Sequence, residues 1–202
     1  MAVSHIILIL FWITFSVLHS LFASERWKKK MQVILKKNYK FYRIGYSLFA
    51  LITLTIAITY NFSMQSFFLW NVNIIEQVIA AACMLSFGVI MLLFIRRFFF
   101  DLSGADVFQK KQLSRALIKT DLYKYVRHPL YSATLGFVWG VFLYSPLLSN
   151  FISCLCITAY TIAGIFLEEK KLVLEFGESY LHYRSETPML IPKLFYLNKP
   201  VN

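Results

Sequence analysis

Charged residues are scarce in this 202-residue chain. Ten residues are Asp or Glu and 15% are charged in all, against about 25% in soluble domains, and this deficit argues against a soluble enzyme. The three cysteines lie inside apolar runs without a Cys-x-x-Cys pair, which argues against both a disulfide framework and a metal site. Sequence motifs of nucleotide-binding folds, zinc proteases and serine hydrolases are also absent.

Apolar residues dominate instead, with 58% hydrophobic, 18% aromatic and a mean hydropathy of +0.60. A helix needs about 20 apolar residues to cross a hydrocarbon core of ~30 Å. Five apolar runs approach this length, and the fourth, at 130–143, needs its flanking residues to cross the core. The sequence therefore predicts an all-α integral membrane protein with five transmembrane helices, over residues 6–22, 44–60, 74–94, 130–143 and 148–167.

The basic residues lie on alternate connections between these runs. Eight Lys or Arg lie in 25–43, eight in 96–128 and five in 168–202, which together account for all 21. The positive-inside rule then places the N-terminus outside and the C-terminus inside the cell. The segment 26–43 alternates basic and apolar residues and predicts a helix lying on anionic lipid rather than a nucleic-acid site. No linker divides the chain, so we expect one domain, 1–202.

The first polar motif, TDLYKYVRHPLYS, occupies 120–132 and runs directly into the fourth apolar segment. Pro129 suits the first turn of a helix, which places Arg127 and His128 at the helix N-terminus. Backbone N–H groups and the helix dipole make such an end a natural anion site. The alternative is that Arg127 only reaches lipid phosphates and His128 only caps the interface.

The second motif begins with Glu168 and Glu169 at the predicted end of the fifth span. Two carboxylates at a helix C-terminus oppose the dipole and repel each other, so a cation is expected nearby. Lys170, Lys171 or Arg127 could supply it, and so could a cationic ligand. An apolar face in the following segment predicts one amphipathic C-terminal helix that folds back onto the membrane or the site; its members are Leu172, Phe176, Tyr180 and Tyr183.

His19 is an ionisable residue near the cytoplasmic end of the first span. Such residues inside a membrane are functional candidates by default. A hydrogen-bonded histidine that only packs between helices is an equally good interpretation. In the first of these interpretations, His19 is a candidate substrate-binding residue.

The two motifs, in this order and about forty residues apart, resemble the isoprenylcysteine carboxyl methyltransferase family of membrane enzymes. The resemblance covers about 105–192, while LHSLFAS and YRIGYSLF in the N-terminal half are similar to its methanethiol S-methyltransferase and NnrU-like branch. It implies methyl transfer from S-adenosylmethionine, with 1–100 forming the first three helices and 101–192 the cofactor-binding half. It implies the following cofactor-binding residues: Ala116, Leu117, Ile118, Tyr123, Arg127, His128, Pro129, Leu130, Tyr131, Glu168 and Glu169.

One departure from the family pattern bears on the acceptor. The arginine that reads prenylcysteine in the eukaryotic enzymes corresponds to Gly164, which carries no charge. A small thiol or a lipophilic acceptor is therefore expected, methylated at the cytoplasmic face of a bacterial cell membrane without metal or nucleic acid. The resemblance names no catalytic base. Phospholipid N-methylation, an NADPH-dependent reductase of the sterol-reductase type and a non-enzymatic membrane subunit are the alternatives.

Overall fold

The computed structural model describes residues 1–98, 117 and 119–193, and it is all-helical over these residues apart from one isolated bridge. Within the described ranges, seven α-helices follow one another, with short 3₁₀ helices at Lys36–Phe41 and Asp121–Lys124. The α-helices are α1 Ala2–Ala23, α2 Glu25–Leu35, α3 Tyr42–Ser63, α4 Ile74–Arg97, α5 Pro129–Tyr144, α6 Leu148–Phe176 and α7 Glu178–Glu186.

Four segments of the described chain are long and apolar enough to cross a membrane. They are α1, the stretch Glu25–Ser63 that contains α2 and α3, α4 and α6. The predicted fourth span corresponds to α5, which forms but has only 16 residues. At 1.5 Å per residue α5 is about 24 Å long, shorter than a typical hydrocarbon core.

A buried core and a polar network join α1, α3 and α6. Leu8 and Trp12 of α1 pack with Ala57 of α3. The Trp12 indole N–H donates to Ser153 Oγ at 2.8 Å, and this hydroxyl in turn donates to Asn61 Oδ1 at 2.8 Å. Because buried polar groups are costly unless they are bonded, this chain of hydrogen bonds fixes how the three helices face one another.

Helices α4 and α5 form a second pair that packs through glycines. A Cβ added at Gly136 would lie 2.5 Å from the Phe87 ring, and one at Gly140 would lie 2.7 Å from Met84 Cγ. The two glycines are four residues apart and therefore share one helix face. This small-residue face lets the α5 backbone approach α4 closely, as is common between membrane helices.

The uncharged connections meet at one end of the helices. Leu69 N–H donates to the Pro146 carbonyl at 2.8 Å, and Leu148 N–H donates to the Phe67 carbonyl at 3.0 Å. Contacts at the other end join charged segments, such as Lys171 Nζ to Glu25 Oε1 at 3.7 Å. The described parts of the basic segments 25–43 and 168–202 thus share one end of the molecule, as the alternation of connections along the sequence predicts.

The prediction of one amphipathic C-terminal helix is wrong. Helix α6 continues past the apolar run to Phe176, so Glu168 and Glu169 lie two turns inside a helix rather than at its end. Gly177 then adopts φ 53°, a left-handed conformation that glycine tolerates, and α7 starts in a new direction. Of the expected aromatic face, Tyr180 and Tyr183 lie on α7, where both are buried.

Candidate functional site

Most of the residues expected to bind a cofactor line one cavity of about 240 Å³ at the charged end of the helices, referred to below as the Glu168 cavity. Helices α5 and α6, the 3₁₀ helix Asp121–Lys124 and the turn before α5 supply the predicted residues. These are Tyr123, Arg127, His128, Pro129, Leu130, Tyr131 and Glu168. Residues that are up to 45 positions apart in the sequence therefore line the same cavity.

Glu168 supplies a carboxylate to this cavity. It is half-buried and accepts a hydrogen bond of 2.9 Å from the Tyr131 hydroxyl. Burial raises the pKa of Tyr123, and the charge on Glu168 raises it further. Tyr123 therefore stays a neutral phenol, and Glu168 supplies the negative charge among the described residues that line the cavity.

Aromatic rings from α4 also line the cavity. Phe94 and Phe98 from the end of α4 line the Glu168 cavity, and the Phe94 ring meets the Tyr123 ring edge-on at 5.9 Å. Arg43 from the start of α3 is the remaining lining residue outside the predicted set. The sequence interpretation missed all three residues, because Arg43 belongs to a lipid-facing basic pattern and the two phenylalanines to an apolar run.

Glu169 has a different role from its neighbour. It forms a buried ion pair with Arg127, with Nη2 to Oε1 at 2.7 Å and Nε to Oε1 at 2.8 Å, and the two side chains are 7% and 9% exposed. His128 Nε2 lies 3.2 Å from the same Oε1. Arg127 is therefore the cation that the sequence predicts near the two carboxylates, and it neutralises Glu169.

Arg127 also fastens the C-terminal tail. Its Nη1 donates to the carbonyl oxygens of Arg184, at 3.1 Å, and Thr187. The backbone N–H groups of Arg127 and His128 donate to Pro188 and Met189 carbonyls at 2.9 and 3.2 Å. The tail is thus bonded beside the α5 N-terminus, where it occupies two backbone donors, but no described tail residue is among those that line the Glu168 cavity.

Helix α7 is attached to the same region by Tyr183. Its hydroxyl donates to the Tyr123 carbonyl at 2.6 Å. Burial raises the pKa of Tyr183 to about 12, so the phenol keeps its proton for this bond at neutral pH. The backbone that carries Tyr123 is therefore held by the C-terminal helix.

The structure does not bring every predicted residue into this cavity. Ala116 and Ile118 lie outside the described residues. Leu117 is half-buried and is not part of the lining. Glu169 lies behind the wall in its ion pair, and His19 lines a separate cavity. Within the described ranges, no group of three or more His, Cys, Asp or Glu could hold a metal ion.

Comparison with known proteins gives the family. The phospholipid methyltransferase family model matches residues 74–179. Methanethiol S-methyltransferase of Crocosphaera subtropica is 30% identical over 189 residues, which cover 88% of this chain and 71% of that protein. Methanethiol S-methyltransferase 2 of Bradyrhizobium diazoefficiens is 36% identical over 103 residues, 48% of this chain and 38% of that protein.

A eukaryotic relative matches a smaller part of the chain. Protein-S-isoprenylcysteine O-methyltransferase of Schizosaccharomyces pombe is 36% identical over 90 residues, 43% of this chain and 37% of that protein. No solved structure matches the chain. The chain belongs to the phospholipid methyltransferase family, and the resemblance seen in its two motifs is confirmed. Its apolar helices of spanning length identify it as a membrane protein of this methyltransferase class.

Proposed function

We propose that this protein transfers a methyl group from S-adenosylmethionine to a small thiol or another lipophilic nucleophile. The observation that carries the proposal is the Glu168 cavity, where a carboxylate faces aromatic rings beside the N-terminus of α5. The names of the relatives support methyl transfer, and two of those compared above are named for methanethiol, a small thiol.

The residues of the Glu168 cavity fit this cofactor chemically. S-adenosylmethionine carries a sulfonium and an ammonium group, and when bound it supplies a methyl group on a good leaving group. The Glu168 carboxylate suits the cationic part, and the rings of Phe94, Phe98 and Tyr123 offer faces for a cation or for adenine. Arg127 acts indirectly in this proposal, because its guanidinium is bonded to Glu169 and to the tail.

The protein's own contribution to such a displacement is positioning and the exclusion of water. Tyr131 holds Glu168 by its hydrogen bond, and the tail that Arg127 fastens covers the polar end of α5.

We also propose the orientation that the charge pattern predicts. The five helices α1, α3, α4, α5 and α6 cross the membrane of a bacterial cell, α5 with the help of its flanks, and the Glu168 cavity faces the cytoplasm. The clustering of basic segments at the end that holds this cavity supports the proposal. The uncharged connections at the opposite end are then outside.

Calorimetric titration of the detergent-purified protein with S-adenosylhomocysteine tests the proposal, with NADPH as the comparison ligand. We expect saturable binding of the first ligand alone. Replacing Glu168→Gln removes the charge at nearly constant volume and should weaken binding by about 1–3 kcal/mol, roughly 5- to 150-fold. Glu175→Gln, an exposed acid further along α6, is the matched control and should bind normally.

Binding of NADPH instead would support the reductase alternative, and binding of neither ligand by folded protein would support a non-enzymatic role. Unchanged affinity in folded Glu168→Gln protein would refute the assignment of the cofactor to this cavity.

A further inference from the structure

A second cavity, of about 950 Å³, lies between α1, the 3₁₀ helix Lys36–Phe41 and α3, and we refer to it as the His19 cavity. Its lining includes the apolar side chains Phe15, Leu51 and Leu54. Arg43 lines both this cavity and the Glu168 cavity, so the two adjoin at that side chain. A molecule in the His19 cavity would therefore lie next to the proposed cofactor site.

His19 is an unsatisfied polar group at this cavity. Its Nε2 lies 2.7 Å from the Tyr46 hydroxyl, and its ring meets the Tyr160 ring edge-on at 5.9 Å. Its Nδ1 is buried and has no hydrogen-bond partner among the described residues. Buried ring nitrogens are normally paired, so a missing partner calls for an explanation. In the tautomer in which Nε2–H donates to Tyr46, Nδ1 keeps a lone pair that can accept a proton.

The charges around the His19 cavity favour an anion over a cation. Lys28, Lys40 and Arg43 line it, and none of the described lining residues is acidic. Glu25 pairs with Lys28 at 2.9 Å but lies outside the lining. The other titratable groups that line it or face His19 are phenols, Tyr39, Tyr42, Tyr46 and Tyr160. Such surroundings stabilise a thiolate and disfavour a protonated amine.

We infer that the His19 cavity is the methyl-acceptor site and that, once a bound thiol opens the closed contact around it, His19 Nδ1 takes the proton of that thiol. The inference rests on the proposed function. The S–H proton passes to Nδ1, and the freed sulfur lone pair forms the new S–C bond. The old C–S bond of the methyl donor breaks, and its electron pair neutralises the departing sulfur. A thiol and a cationic donor become a neutral thioether, a neutral sulfide and a proton on His19.

The same charges disfavour the ammonium of a phospholipid headgroup as the acceptor, although the family model bears the name phospholipid methyltransferase. Vesicles of phosphatidylethanolamine, supplied with labelled S-adenosylmethionine, should therefore give no labelled headgroup. Labelled headgroup at a rate comparable to thiol methylation would overturn the inference.

The variant that tests His19 is His19→Gln. The glutamine amide can reach the position of Nε2 and keep the contact with Tyr46, but it cannot take up a proton. With an alkyl thiol, phenylmethanethiol, the rate should fall by about 10²-fold or more. With thiophenol, a more acidic thiol, the loss should be under about tenfold, because less help with ionisation is needed. Tyr46→Phe removes the hydroxyl and keeps the ring. Its rate should also fall more with phenylmethanethiol than with thiophenol, but by smaller factors than in His19→Gln.

A second readout does not involve methyl transfer. The ultraviolet absorption of the thiolate reports the ionisation of phenylmethanethiol bound to the protein without cofactor. In the wild type its midpoint should lie below that of the free thiol, and in His19→Gln it should rise towards the free value. His5→Gln is the control, because His5 is a second histidine of α1 that is bonded to Ser66 at the opposite end. It should change neither the rates nor the midpoint.

S-adenosylhomocysteine binding distinguishes a failure of the inference about His19 from a failure of the proposed function. If the wild type and His19→Gln bind it equally, but the variant has normal rates or equal losses with both thiols, the role of His19 is overturned and the proposed function stands. If the wild type does not bind it, both are overturned.

Discussion

The ion pair between Glu169 and Arg127 makes a sharp prediction about stability. Both side chains are almost fully buried, and Glu169 receives two donors from Arg127 as well as the close approach of His128. Replacing Glu169→Gln leaves the guanidinium buried without its carboxylate. Breaking a buried pair on one side costs about 3–5 kcal/mol. We expect the lower end, about 3 kcal/mol, because Arg127 keeps the Arg184 and Thr187 carbonyls as acceptors.

The neighbouring substitution Glu168→Gln is the control. Glu168 is half-buried, and a glutamine amide oxygen can still accept the bond from the Tyr131 hydroxyl. Its effect on the free energy of unfolding should therefore stay below about 1 kcal/mol. The two substitutions change the same kind of residue at adjacent positions, so the difference between them isolates the ion pair.

Thermal unfolding of the detergent-solubilised protein is the assay, and limited proteolysis is the second one. Loss of Glu169 should lower the unfolding midpoint and also expose the tail after Glu186, which Arg127 holds through Thr187. The double substitution Arg127→Met with Glu169→Met removes both charges and should destabilise less than Glu169→Gln alone. Equal unfolding midpoints for the Glu168 and Glu169 variants would refute this account of the ion pair between Glu169 and Arg127.

Two further predictions concern packing and orientation. Gly140→Leu should destabilise the protein by about 1–3 kcal/mol, measured by the same thermal assay, because its side chain would overlap Met84; Gly164→Leu, with open space around its Cβ position, should not. A cysteine in place of Gln65 should react with an impermeant maleimide in intact cells, and one in place of Glu178 should react only after lysis, with the wild type as background. The reverse labelling would contradict the proposed orientation.

The helical architecture could be predicted from the apolar runs, but the ends of the helices could not. The predicted runs 74–94 and 148–167 correspond to Ile74–Arg97 and Leu148–Phe176. A run of apolar residues ends where the helix reaches charged residues. The backbone hydrogen bonds of the helix continue through such residues when they favour helices, as Glu and Lys do. The helix stops only at Gly177, where the backbone turns left-handed.

Much of the candidate site could also be predicted, because its residues are close in sequence on two motifs. The aromatic wall could not, since Phe94 and Phe98 differ in no sequence feature from the other apolar residues of α4. Their contribution depends on where α4 ends relative to α5, and the close approach at Gly136 and Gly140 sets that distance. The site thus depends on a packing contact several turns away from it.

The different roles of the two adjacent glutamates follow from helix geometry. Consecutive residues of an α-helix point about 100° apart, so side chains at i and i+1 do not share a face. The structure places Glu168 against Tyr131 in the cavity, and Glu169 against Arg127 beneath the tail. The repulsion expected from a pair of carboxylates is then reduced at Glu169, which pairs with Arg127 at 2.7 Å and lies 3.8 Å from Arg184 Nε. Glu168 accepts its hydrogen bond from the neutral Tyr131 phenol, and in the proposed function its charge meets the cationic part of the ligand.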